Sequence, residues 1–430
     1  MADAFAVDVR RWVTALGAGL FLCATAVAQD AKPLRVGIVT FLSGPAAGPF
    51  GVPARNAAEI TAEAINAGRL PSPYATKGFG GVPIELVFVD EAGPTTKVVT
   101  DYRNLVQRQN VDLVIGFISS GNCLAVAPVA EELKKLTVFF DCGTPRIFED
   151  NSYRYVFRTQ ATATMDSVGA ALYVLEQKPK VRKIAGINQN YAWGQDSWAD
   201  FEAAMKALKP DVDTTVSQMT KLLSGQFGTE ISALLGDPAE VLHSSFWGGD
   251  LEAFIVQAGP RQLFNKKTVL LTTGETVLPK LGKQIPDGTI IGARGTQSVF
   301  APKSALNDWF QSAYRDRYNA PPNYASYHML QAFLGTKAAY EKAYAANSNR
   351  APNQEQIIAA FENIEFDAPA GRIRMTLGKG HQAVQGTAYG MVKQVKGEAT
   401  IVNVKHYPPE RVNPPEGVKS LDWIKTQLKR

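Results

Sequence analysis

The sequence predicts an α/β protein built from parallel β-sheets covered by helices, and three observations lead there. Short β-rich runs alternate with helical stretches from Leu34 onward, the pattern of sheets with helices on both faces. At 430 residues the chain exceeds one ordinary core, so two lobes are the minimum expected. Its balance of 45% hydrophobic and 20% charged residues excludes disordered and fibrous classes.

Taken from the start, Arg10 and Arg11 precede an apolar run over 12–27, and the small residues Ala26 and Ala28 stand before Gln29. This is the order of a secretory signal peptide over residues 1–28, cleaved after Ala28. The competing reading is a membrane anchor, for which the run is a little short. Leu22 occupies the place where a lipobox before Cys23 needs a small residue, and Arg10-Arg11 lacks the Ser or Thr of a twin-arginine signal. The remainder is expected in the periplasm. Asp3 and Asp8 cancel Arg10 and Arg11, so the net charge of +5 is unchanged by removal of that stretch. A mild excess with no dense basic run gives nucleic-acid binding no support. Cys123 and Cys142 are then the only cysteines left, in a compartment that oxidises thiols.

Strands are predicted at 34–41, 84–89, 112–117, 137–140, 153–158, 183–188, 241–246, 268–272 and 289–293, and helices at 52–67, 95–109, 124–134, 195–208 and 251–258. In the first helix Ala57, Ile60, Thr61, Ala64 and Ile65 share one face and Gly68 supplies a stop. The stretches 68–83 and 407–417, rich in Pro and Gly, read as a surface loop and a tail. Pattern alone leaves open one wide sheet or two smaller ones. In either case ligand chemistry belongs at the carboxyl ends of the strands, where loops meet helix N-termini.

Those strand ends carry an ordered series. Ser43-Gly44-Pro45 through Phe50-Gly51 follows the first strand, and Ile65-Asn66-Ala67-Gly68 ends the first helix. Then come Gly80-Gly81-Val82-Pro83-Ile84, Val89-Asp90, Val114-Ile115-Gly116-Phe117-Ile118-Ser119-Ser120 and Ala127-Pro128. Cys142-Gly143-Thr144-Pro145, Phe157-Arg158-Thr159, Tyr191-Ala192-Trp193-Gly194 and Gly248-Gly249-Asp250 complete it. The series resembles the type I periplasmic binding proteins of branched-chain amino-acid (Leu/Ile/Val-binding-like) ABC transporters, in order over nearly the whole remaining chain.

The resemblance implies two Rossmann-like lobes joined by three hinge crossings, near 158–163, 292–296 and 369–373. Lobe one is then expected at 30–159 plus 295–370, and lobe two at 160–294 plus 371–430. It implies a monomeric substrate-binding component that takes a small carboxylate-type ligand (amino acid, aromatic or aliphatic acid, or amide) in the cleft and serves the membrane permease of an ABC importer. No cofactor and no metal are expected. A sensor working with a separate signalling partner is the alternative of the same fold.

By the same resemblance Ser119, Ser120, Gly143 and Thr144 offer amides and hydroxyls to a ligand oxygen on the first lobe. Unpaired N–H groups at a helix start suit an anion, against the plainer reading that Ser120 caps the helix. Phe50, Trp193 and Trp247 are expected as aromatic walls, with Tyr191 a less secure neighbour and the core as the competing place for each. The family's carboxylate for a ligand ammonium falls on Gly274, and a one-residue loop shift would bring Glu275 to that contact, so Glu275 is expected at the ligand. Cys123 and Cys142, near the ends of consecutive strands, are expected to form a disulfide. An exported enzyme is the rival class. His243, His328, His381 and His406 show no HExxH or HxxxH spacing, and there is no GxSxG or GxxxxGK[ST] sequence. The chain is therefore expected not to be an enzyme.

Overall fold

The computed structural model describes residues 32–428; the expected signal peptide over 1–28 lies outside them. Fifteen strands are described, β1 Leu34–Thr40, β2 Ile84–Asp90, β3 Leu113–Gly116, β4 Thr137–Phe139, β5 Val156–Arg158, β6 Lys183–Gln189, β7 Asp213–Thr220 and β8 Val241–Ser244 among them. The rest are β9 Thr268–Leu271, β10 Ile290–Gly292, β11 Glu365–Ala368, β12 Gly371–Leu377, β13 Gln382–Val384, β14 Thr387–Val395 and β15 Glu398–Tyr407.

They form two sheets, one per lobe. The first runs β11-β12-β13-β5-β4-β3-β1-β2 and the second β15-β14-β10-β9-β8-β6-β7. The inner strands pair in parallel, for example Val36 beside Leu113 and Val241 beside Thr268. Each sheet ends in an antiparallel pair, β11–β12 and β14–β15, so the sheets are mixed rather than wholly parallel. The chain passes to the second sheet between β5 and β6, returns after β10, and passes over again between β13 and β14.

That last passage departs from expectation. With a crossing at 369–373, β12 and β13 would belong to lobe two, yet both lie in the first sheet, β13 beside β5 at Gln382 and Arg158. The reason is local: Gly371 opens a hairpin in which Ile373 and Met375 are fully buried against lobe one. Only 385–386 are left to link the sheets.

The first helix is Val52–Ala67 as predicted, closed by Gly68 in the left-handed region at φ 66°. Three others start earlier than predicted, at Ser120, Ala192 and Gly248. In each, loop residues wind the first turn and so bring the helix N-terminus to the cleft. The stretch 407–417 is no loose tail. Asn413 is buried and donates to the carbonyl of Gln385, and beyond it Trp423 and Ile424 bury against lobe two.

Candidate functional site

The cleft lies between the carboxyl ends of the two sheets, and its walls are nearly closed on one another, with about 10 Å³ of free space between them. Phe50, carried by the turn Ala47–Gly51 of lobe one, meets Trp247 of lobe two edge-on with ring centroids 5.4 Å apart, and Tyr324 at 5.2 Å. Both tryptophans are fixed by their indole N–H, Trp193 donating to the Ser245 carbonyl at 2.8 Å and Trp247 to the Tyr191 hydroxyl at 2.7 Å. Gly143 must be glycine: a Cβ there would stand 2.4 Å from the Trp193 ring.

Of the residues expected from sequence, Phe50, Ser120, Gly143, Trp193 and Trp247 line this cleft, while Ser119, Thr144 and Glu275 do not. Tyr191, the less secure neighbour, lines it too, and Ile118, Asp141, Arg294 and Tyr324 join them.

The first-lobe donors are largely engaged with one another. Glu91, fully buried at the end of β2, accepts from the amides of Ile118 and Ser119, both at 2.8 Å, and from Asn122 at 3.0 Å. A carboxylate of the protein thus already occupies the start of the helix Ser120–Glu132, and the Ser119 amide is not free for a ligand. Desolvation pushes Glu91 up to about 7 against the lowering effect of these bonds. The Ser120 oxygen accepts from the amides of Gly143 at 3.1 Å and Thr144 at 3.2 Å, so the hydroxyl proton remains to be donated. Thr144 donates its hydroxyl to Asp196 of lobe two at 2.6 Å, and Arg146 grips the same carboxylate at 2.8 Å through Nε. Thr144 is therefore a latch between lobes.

Glu275 is turned away as well. Its carboxylate, 3% exposed, accepts from the Tyr324 amide at 3.1 Å, the first turn of the lobe-one helix Tyr324–Ala346. Burial raises it to about 7. A carboxylate at a helix N-terminus is favourable there, and the contact again spans the lobes.

Instead, beside the acid Asp141, the cleft holds a cation, Arg294, just past β10. Its Nη1 donates to the Asp141 carbonyl at 2.5 Å and to Asp141 Oδ1 at 3.1 Å, and Nε donates to Asp166 Oδ2 at 3.3 Å. The guanidinium carbon lies 4.3 Å from the centroid of the Trp193 ring. Its Nη2 is buried and has no partner. Burial raises Asp166 to about 7 against the attraction of Arg294, while the two aspartates hold Arg294 charged. His328 lies 2.5 Å from Asp141 Oδ1 and 3.1 Å from the Arg294 carbonyl, buried so that desolvation favours its neutral ring against the pull of those two acceptors.

Sequence reasoning missed Arg294 and Asp141. Both follow predicted strands, 289–293 and 137–140, so the strand-end rule pointed at their positions; nothing local showed that the two would meet from 153 residues apart. Cys123 and Cys142 join in a disulfide, with Cα atoms 6.5 Å apart, directly beside Gly143. Among the described residues no helix is long and apolar enough to cross a membrane, and no three His, Cys, Asp or Glu side chains gather as a metal site.

Two α/β lobes meeting at a cleft with aromatic walls and one buried cation have the architecture of a two-lobed binding protein. The family model described as periplasmic binding protein matches residues 33–398, and the chain belongs to that family. Solved structures share the fold at low identity. A solute-binding protein of an ABC transporter from R. palustris, in complex with benzoate, is 19% identical with a TM-score of 0.74, covering 90% of this chain and 100% of its own. One from Rhodopseudomonas palustris BisB5, in complex with 3,4-dihydroxybenzoic acid, is 20% identical with a TM-score of 0.74, over 88% of this chain and 98% of its own. The branched-chain amino acid transporter substrate-binding protein LivJ from Streptococcus pneumoniae, in complex with isoleucine, is 17% identical with a TM-score of 0.72, over 88% and 100%. No curated protein matches the chain by sequence.

Proposed function

We propose that this protein is the periplasmic substrate-binding component of an ABC importer and that its ligand is a small aromatic monocarboxylate, clamped between the lobes and handed to the membrane permease. The observation that carries the reading is Arg294: a buried guanidinium, stacked on Trp193, whose Nη2 has no partner inside an aromatic-walled cleft. An unpaired buried donor costs free energy that a ligand carboxylate would recover, and a charge-assisted bond is worth about 1.5–3 kcal/mol. The Ser120 hydroxyl is the second donor. Trp193, Trp247, Phe50 and Tyr324 would cover the ring of the ligand on both faces, which suits offset or edge contacts with an aromatic body. Two of the structural neighbours are themselves complexes with benzoate and a dihydroxybenzoate.

Asp141 supports a second reading, an α-amino acid, because its carboxylate lines the same cleft, although its Oδ1 is engaged by Arg294 and His328. Calorimetric titration with benzoate and with leucine separates the two. Binding of benzoate at the cleft that Arg294→Met weakens on the order of 10- to 100-fold supports the first; binding of leucine alone, lost in Asp141→Asn, replaces it with the second. Recovery of the ligand unchanged after denaturation distinguishes binding from turnover.

A further inference from the structure

A second cavity lies away from the cleft and shares none of its lining residues. It has about 170 Å³ of free space, against about 10 Å³ in the closed cleft. Cavities of roughly 150 Å³ hold a benzene-sized guest. Its walls include Phe148, Leu377, Pro414 and Val418, so the C-terminal segment closes over the end of β5 and the hinge.

Two polar residues of this cavity are incompletely paired. Arg158 is fully buried; its Nε donates to Gln382 Oε1 at 2.5 Å, and its Nη1 to the carbonyls of Cys142 at 2.9 Å and Thr144 at 2.6 Å. Its Nη2 has no partner, and neither has the Thr162 hydroxyl, also buried. Two acids, Glu149 and Glu416, also line the cavity, and Glu149 does not bond the guanidinium: its Oε1 accepts from the amide of Ser420 at 2.9 Å and from the Ser420 hydroxyl at 2.5 Å. A buried cation with a spare donor, a spare hydroxyl and apolar walls is the equipment of a small-molecule site. Desolvation pushes Arg158 down to about 9, with Arg294 adding to it, a cost that an anion beside it would offset.

We infer that this hinge cavity is a second ligand site, taking a small monocarboxylate with an apolar body, whose carboxylate is held by Arg158 Nη2 and the Thr162 hydroxyl. The carbonyls that Arg158 holds, those of Cys142 and Thr144, flank Gly143 of the cleft. Occupancy of one site therefore bears on the loop that forms the other, and such coupling is reciprocal.

The test uses the full chain with benzoate as probe. In the Arg294→Met chain, whose cleft binds benzoate about 10- to 100-fold more weakly, one benzoate per chain should still bind at the parent affinity of the second site, by calorimetry and saturation-transfer NMR. Adding Thr162→Val, which removes only an unpaired hydroxyl, should weaken that binding about 10-fold. Adding Val418→Trp, which fills the cavity, should abolish it. An Arg294→Met chain that binds no benzoate overturns the proposal, as does binding unaffected by both added changes. Failure of the cleft reading gives a different result: the parent chain would then bind one benzoate, and Arg294→Met would bind it equally well.

Discussion

Arg294 is held in place by two aspartates and an indole ring, which on the proposed reading preorganises it for a ligand anion. Arg294→Met keeps much of the stem that covers Trp193 but removes the charge. Affinity for benzoate should fall on the order of 10- to 100-fold, the worth of one charge-assisted bond. Arg294→Lys should recover little, since an ammonium cannot reach Asp141, Asp166 and a ligand together as a planar fork does. Trp193→Ala should also weaken binding, and more for benzoate than for acetate, because the ring face it removes serves only the apolar body. Glu275→Gln tests whether that carboxylate reaches the ligand. Its carboxylate bonds the Tyr324 amide across the lobes, so the change should lower affinity for every ligand by a similar small factor, through closure. A loss confined to amino acids in parallel titrations would instead place Glu275 at the ligand.

At the scale of elements, the loops after β3 and β4 build the first-lobe wall. The Cys123–Cys142 disulfide ties them across a sequence separation of 19. Unfolded but unreduced protein with its leader removed should show no reactive thiol, and two labelled thiols would refute the pairing. In the chain-entropy account a loop of this length stabilises the fold by about 3 kcal/mol, so reduction should shift the denaturant midpoint down by a corresponding amount. Strands and helices of the sheet interiors were legible because β-branched runs and a repeating helical face recur in them. β7 was not: Asp213–Thr220 is half-exposed at a sheet edge and carries Thr, Ser and Gln where an inner strand carries Val and Ile. The hairpin β14–β15 was missed for the same reason, with residues such as Lys393, Glu398 and Lys405 exposed on its strands.

For the whole molecule, the contacts Thr144–Asp196, Arg146–Asp196 and Glu275–Tyr324 hold the lobes together in the closed form. On the proposed reading, the roughly 10 Å³ between the walls calls for an open form that admits the ligand and then closes on it. Small-angle scattering should show a smaller radius of gyration at saturating ligand, and an unchanged radius would count against the clamp. Burial also makes the fold sensitive to pH. Glu91, Asp166 and Glu275 are raised to about 7 and Asp200 to about 8. A carboxyl raised in the folded chain contributes stability that is fully present below its unfolded value and is lost as pH rises through the folded one. Burial lowers His243 and His328, so above about pH 6.5 neither adds an opposing trend. Tm should therefore fall between about pH 6.5 and 8.5 in a calorimetric scan. Asp200→Asn should flatten that fall, and a Tm that rises over the interval would contradict the burial of these groups.

What the sequence by itself determined is the periodic part, the alternating strands and helices, because sheet burial and helix faces repeat along the chain. The length called for two lobes, and the resemblance pointed to Phe50, Trp193 and Trp247, which the structure brings to one cleft. Tertiary structure alone decided which polar groups remain free. Ser119 and Thr144 were reasonable donors until Glu91 and Asp196 came within 2.8 and 2.6 Å of them. Arg294 became the cleft cation only when folding brought Asp141, Asp166 and Trp193 around it. Hydrogen-bond satisfaction depends on partners distant in sequence, and in a low-dielectric interior one such partner turns a donor for ligand into a strut of the fold.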